Sequence, residues 1–188
     1  RDYGRAAKRA KEGGMDCIET LAGGHIIGQF LSPRTNHRTD RFGGSAENRA
    51  RFGLMVHEEI RKQVGDDFIV GIRWIMDEED PTGLDFEDCV ELGQIFERAG
   101  HIDFFNCIFG RMDTQLALLT HNIPNMAQPI APYVRLVSQF KAHTGTKLPI
   151  FHAARIPDLA TARWAVAEGH IDMVGMTRAH IADSSRIS

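Results

Sequence analysis

The stretch CIETLAGGHIIGQFLSPRTNHRTDRFGGSAENRARF, Cys17 to Phe52, decides how the rest of the chain is read. Its opening run, Cys17 to Thr20, has the length and apolar character of a buried strand. Gly23 and Gly24 follow. Lacking Cβ atoms, they let the backbone turn tightly or lie close against a flat ligand, and His25 brings an ionisable side chain into that turn. A loop of Ser, Pro, Arg, Thr and Asn leads to Ser45, whose hydroxyl suits the start of a helix. Phe52, Met55, Val56, Ile60 and Val64 then recur on roughly one helical face. Strand, glycine turn, polar loop and capped helix make one βα unit of a barrel, and barrel chemistry gathers where the strands end.

Outward from this unit the same alternation repeats. YGRAAKRAKEGG reads as a helix closing at Gly13 and Gly14. Phe68 to Ile75 is continuous and apolar, as a strand covered on both faces should be. The polar loop MDEEDPTGLD, a helix from Asp85 to Ala99 ended by Gly100, and a strand from Ile102 to Ile108 come next. Phe109 to Pro132, with His121, Asn122, Pro124, Pro129 and Pro132, is irregular; segments this long are usually functional or disordered. A helix through Tyr133 to Thr144, a strand from Leu148 to His152, a helix opened by Pro157 and Asp158 and ending near Glu168 and Gly169, and a strand from Ile171 to Met176 complete the pattern. Five strand–helix alternations argue for an α/β fold with parallel strands and right-handed crossovers. Periodicity alone leaves two forms open: the last five βα units of a (β/α)8 TIM barrel, or a doubly wound open sheet. The chain starts at Arg1 inside a helix-like stretch and stops after a strand-to-helix transition. The expectation is therefore a partial barrel domain over residues 1–188, with the first three strands lying before Arg1 in a larger protein.

The 188 residues, 43% hydrophobic and 25% charged, suit one globular unit with a real core. A net charge of −3 lacks the broad positive field of a nucleic-acid binder. No apolar run approaches the ~20 residues of a membrane span. Cys17, Cys89 and Cys107 are odd in number and far apart, matching neither a disulfide framework nor a zinc site, so a reducing cytoplasm is the expected compartment. Association into a homo-oligomer is compatible with all of this.

Several residues carry chemical potential. Arg73 interrupts the apolar strand VGIRWI; burying a guanidinium without an anion is costly, so it faces a ligand at the strand end or pairs with Asp77, Glu78 or Glu79. FHAARIPD and VGMTRAHIAD put Ala154-Arg155 and Thr177-Arg178 directly behind the last two strands. Backbone N–H groups and helix N-termini there attract anions, and TIM barrels often hold phosphate behind strands seven and eight. The plainer alternative is surface arginines behind core strands. His25 suits an acid, a base or a hydrogen-bond donor, since histidine is the side chain whose charge changes most readily near neutrality, or a structural role. Asn106 either faces a ligand or satisfies backbone, while Arg111 and His121 are candidates for shaping a substrate pocket. Thr35, Asn36, Arg38, Thr39, Asp40 and Arg41 read as a loop held by its own polar groups. His37, His57, His143 and His170 read as surface or turn residues without a role.

QFLSPRTNHRTDRFGGSAENRARF resembles the signature of the Old Yellow Enzyme family, in its larger bacterial branch of dienoyl-CoA reductase-like and trimethylamine dehydrogenase-like enzymes. That resemblance implies a TIM barrel binding FMN, a small organic substrate stacked on the flavin, and NAD(P)H as an electron donor. It implies that Arg73 lies against the pyrimidine end of FMN and that the phosphate sits at Ala154-Arg155 and Thr177-Arg178. The family pattern at both of those places is Gly-Arg, so both glycines are replaced here. Counting back from QFLSP, His25 falls where many relatives carry a proton-donating tyrosine, in a turn one residue shorter than theirs. Where relatives hold a substrate carbonyl with two His or His-Asn, this chain reads Thr20, Leu21, Ala22. Loss of that pair and presence of His25 tilt the expectation toward C–N bond oxidation, as in amine dehydrogenases and N-demethylases, over C=C reduction. An iron–sulfur cluster is expected only in a full-length parent, since this chain has no cysteine cluster. A phosphate-ligand-binding barrel without redox chemistry, or a degenerate scaffold, is the reading from another class.

Overall fold

The computed structural model describes residues 1–185. The elements run α1 (Asp2–Glu12), β1 (Cys17–Leu21), α2 (Ile26–Leu31), α3 (Ala46–Val64), β2 (Ile69–Ile75), α4 (Phe86–Ala99) and β3 (Phe104–Ile108). They continue with α5 (Gln115–Ala117), which runs on as a wider π-type turn over Leu118–Asn122, then α6 (Val134–Thr144), β4 (Ile150–His152), α7 (Leu159–Ala167), β5 (Met173–Val174) and α8 (Thr177–Ala182). The five strands form one parallel sheet in the order β1-β2-β3-β4-β5, each beside its successor in the chain. A doubly wound sheet would reverse direction at a switch point; this order does not, and it is the order of a barrel wall.

Local chemistry explains where the helices begin and end. Ser45 accepts from the Asn48 N–H, Asp85 from the Asp88 N–H and Asp158 from the Thr161 N–H, each filling one of the donors that a helix start leaves unpaired. Gly100 and Gly145 close α4 and α6 in the left-handed conformation that glycine adopts without a Cβ penalty. The helices cover one face of the sheet. There Trp74 meets Phe96 and Phe105 edge-on at 5.2 and 5.6 Å, and Phe105 meets Phe140 at 5.7 Å. His57 belongs to this layer and not to the surface, correcting the sequence expectation. It is fully buried, its Nδ1 lies 2.8 Å from the Gly53 carbonyl, and its Nε2 lies 2.8 Å from the Thr20 hydroxyl.

The strands are shorter at their entry than the apolar runs suggest, because two of them start beyond an aspartate that takes over part of the ladder. Gly-His-Ile-Asp occurs twice, at 100–103 and 169–172. The Asp103 carboxylate accepts the Val70 N–H at 2.7 Å and Arg61 at 2.8 Å. Asp172 does the same for the Ile150 N–H at 2.8 Å and Lys141 at 2.8 Å. Each aspartate thereby gives an N–H at the start of a neighbouring strand an acceptor, the second residue of β2 and the first of β4, and ties that strand to a flanking helix.

Candidate functional site at the strand ends

Parallel register places Leu21, Arg73, Asn106 and Phe151 side by side across four strands, on the face opposite the helices. One step back on the same face lie Glu19, Gly71 and Phe104. Gly71 is required there: a Cβ would come within 1.9 Å of the Phe104 ring, which stacks on Phe151 at 4.4 Å. In a closed barrel this face is the interior. Its polar members form one group, because Glu19 ion-pairs with Arg73 Nε at 3.2 Å through one oxygen and accepts from Asn106 Nδ2 at 2.7 Å through the other.

Arg73 is thus half-exposed and paired with Glu19 across the sheet, not with Asp77, Glu78 or Glu79. Those three are engaged locally. Asp77 accepts the Glu79 N–H, buried Glu78 accepts Ser32 Oγ at 2.6 Å and the Leu84 N–H at 2.7 Å, and Glu79 meets His121 Nε2 at 2.6 Å.

At the carboxyl ends of the strands a cleft of about 690 Å³ opens, within the size range of small-molecule and cofactor sites. Its walls include Leu21 and Arg73, Ala153 to Pro157, Gly175 to Ala179, and Met112, Leu118, Asn122 and Ile123 from the long connection behind β3. Arg73, Arg155 and Arg178 therefore share one cleft although 105 positions separate the first from the last. Arg178 donates to the Pro124 carbonyl at 2.9 Å, and the Arg155 carbonyl accepts the Ala131 N–H at 3.0 Å, so both loops are braced by that long connection. Arg155 adopts φ 46°, a conformation uncommon for a residue with a Cβ, and its buried Nε has no hydrogen-bond partner among the described residues. Gly175 approaches Ala153 so closely that a Cβ would lie 2.6 Å from the alanine methyl. An arginine with a strained backbone and a buried Nε lacking a partner, beside two backbone turns in close contact, is a donor set suited to a phosphate.

The other expected site residues fall elsewhere. His25 caps the start of α2 without a side-chain bond and is exposed; it lines a separate hollow of about 670 Å³ with Tyr3, Glu19 and Gln29 beside β1. Leu21 and the Glu19–Arg73 pair stand between that hollow and the arginine cleft. Arg111 lies in an ion-pair cluster with Asp80 at 2.5 Å and Asp113 at 3.9 Å, which Arg34 joins at 3.4 and 2.7 Å. His121 packs on Phe109 and under Gly110, where a Cβ would meet it at 2.2 Å. Neither Arg111 nor His121 is among the residues lining the arginine cleft. The 35–41 loop is held as expected by its own polar groups: Asn36 bridges the Phe30 and Phe42 carbonyls at 2.6 and 2.7 Å, and Arg38 pairs with Asp40. Sequence reasoning missed Glu19; it pointed to the 109–132 segment as pocket wall but to Arg111 and His121 within it, not to Met112, Leu118, Asn122 and Ile123. A carboxylate inside the strand CIETL was a usable signal for Glu19.

A parallel barrel wall with three arginines gathered on one cleft at its carboxyl rim is the architecture of the TIM-barrel class, whose sites lie at that rim. The chain belongs to the NADH:flavin oxidoreductase / NADH oxidase family, whose model matches residues 1–187. Over 183 residues it is 55% identical to the multifunctional alkene reductase/demethylase OYE of Caballeronia cordobensis, covering 97% of this chain and 26% of that protein. It is 43% identical over 188 residues to the N,N-dimethylglycine/sarcosine dehydrogenase of Chromohalobacter salexigens, covering 100% of this chain and 27% of that protein. Among solved structures it superposes on a 2-naphthoyl-CoA reductase complex with a TM-score of 0.87 at 35% identity, covering 96% of this chain and 27% of the other. On histamine dehydrogenase from Rhizobium sp. 4-9 the TM-score is 0.83 at 28% identity, with 96% and 25% covered. The chain spans about a quarter of the length of these relatives.

Proposed function

We propose that this chain is the C-terminal five-eighths of an FMN-binding barrel in an oxidoreductase that acts on a small organic substrate, by C–N bond oxidation or by C=C reduction with NAD(P)H. The observation that carries the reading is the convergence of Arg73, Arg155 and Arg178 on one cleft at the strand ends. The residues present fit the group: Arg155 has a buried unsatisfied Nε, and the turns at Ala153–Arg155 and Gly175–Arg178 meet at the cleft. The two replaced glycines do not close it: Ala154 and Thr177 both line the cleft, which stays open with their side chains in place.

In this reading Arg155 and Arg178 hold the phosphate, and Arg73 presents a positive charge to the ring end of the cofactor. Bound FMN supplies hydride transfer; the chain's own share is positioning and electrostatics. Arg73 favours negative charge at the flavin, and Leu21, Ile108 and Met112 provide apolar wall beside it. His25 is placed to hold or move a proton only if its turn faces the substrate in the complete barrel. One relative, from Caballeronia cordobensis, is named for both alkene reduction and demethylation, which supports keeping both reactions.

Purified full-length protein is expected to carry a flavin absorption band near about 450 nm. Arg155→Ala should weaken FMN retention by about ten- to a hundred-fold, the worth of a hydrogen bond to a charged group. A protein without stoichiometric flavin would return the cleft to a non-redox phosphate ligand.

A further inference from the structure

We propose that Glu19 and Asn106 are positioning residues that set how much of the Arg73 charge reaches the cleft, and so set the balance between oxidised and reduced flavin there. The inference rests on the reading of the cleft as a flavin site and adds a control element to it. Three side chains from three consecutive strands carry it. Glu19 touches Arg73 Nε at 3.2 Å with Oε1 and receives the Asn106 amide at 2.7 Å with Oε2.

The arrangement has a direction. The pair with Glu19 engages the Nε edge of the guanidinium, while Arg73 itself lines the arginine cleft and Glu19 lines the hollow on the β1 side. A carboxylate behind the arginine holds its plane in place and cancels part of its charge. Asn106 draws on the second oxygen and so lessens that cancellation, since a hydrogen bond donated to a carboxylate spreads its charge away from Arg73. Neither Glu19 nor Asn106 lines the arginine cleft, so both act through Arg73. The register that aligns Arg73 with Asn106 on β3, and Glu19 with Gly71 one step back, makes the triad a property of the sheet and not of a mobile loop.

The two partners should push the flavin in opposite directions. Glu19→Gln keeps the shape and removes the negative charge. It should favour the reduced flavin about ten-fold, a positive shift of about 30 mV for a two-electron couple. Asn106→Ala removes the donor and leaves the carboxylate fully opposed to Arg73, so the potential should move negative. Redox titration of the flavin-loaded full-length protein reads both shifts, and thermal unfolding runs beside it as a control. Shifts of opposite sign support the proposal; no shift, or shifts of the same sign, overturn it, because damage to packing has no reason to change sign between two variants. If Glu19→Gln does not fold, the negative shift in Asn106→Ala decides alone. A flavin that stays bound with an unmoved potential defeats this inference and leaves the cofactor reading standing, whereas wild-type protein that binds no flavin defeats the cofactor reading itself.

Discussion

Arg73 illustrates how a single residue's meaning depends on what faces it. A guanidinium in an apolar strand demands an anion, and the strand VGIRWI offers none of its own. The nearby acids Asp77, Glu78 and Glu79 are bound to local backbone, Ser32 and His121, and Glu19 from the neighbouring strand fills the place. His25 is the opposite case, an exposed imidazole with no side-chain bond at the start of a six-residue helix. If it transfers a proton, His25→Ala should lower turnover by about 10²- to 10⁴-fold with flavin content unchanged. Near-normal turnover would leave it a structural residue of the turn. Because Leu21 and Glu19 separate its hollow from the arginine cleft, the flavin content of this variant is a direct check that the two places are independent.

At the scale of elements, the long helices were legible because each begins at a side chain that accepts a backbone N–H, at Ser45, Asp85 and Asp158, and α4 and α6 end at glycine. Helix α2 was not legible. It has six residues, no cap bond, and Gly28 in a place where a Cβ would sit 2.1 Å from the Ala22 carbonyl oxygen, so its existence is a matter of close packing against the turn. The π-type turn over Leu118–Asn122 was hidden for a related reason: Asn122 bonds the Gly110 and Arg111 carbonyls, contacts made across eleven or twelve positions. The repeated Gly-His-Ile-Asp carries a prediction at this scale. Asp103→Ala leaves the Val70 N–H without its acceptor and takes away the carboxylate partner of Arg61, and should cost roughly 1–3 kcal/mol in denaturant unfolding. Asp172→Ala should behave alike through Ile150 and Lys141. A loss confined to one of the two would mean that the repeat is not one device used twice.

For the molecule as a whole, the buried imidazoles tie stability to pH. Burial pushes His57 and His152 down to about 4, and each has its Nδ1 against a carbonyl, Gly53 or Cys107, at 2.8 Å. Both are therefore neutral in the fold, whereas in the unfolded chain they titrate near 6.5. Their contribution is fully present above about pH 6.5 and is lost as the pH falls toward 4, by up to roughly 3 kcal/mol for each imidazole. Unfolding free energy measured from pH 7 to 4 should fall, and His57→Gln should flatten part of that slope; an unchanged slope would reject the assignment to His57. Burial also raises the thiols of Cys89 and Cys107, which lie inside the fold, while Cys17 is exposed. Among the described residues no helix is long and apolar enough to cross a membrane.

The amino-acid order by itself determined the alternation of strands and helices, the capped helix starts, the parallel α/β class and the family, because each of these is written in neighbouring residues through periodicity, capping and a contiguous motif. Only the tertiary structure decided that Arg73, Arg155 and Arg178 share a cleft, that Glu19 and Asn106 stand behind the first of them, and that His57 is buried. Those facts depend on which residues of adjacent strands lie side by side and on where the long connections cross. Sheet register and loop packing are set by the balance of many contacts between distant parts of the chain, and no local pattern records them.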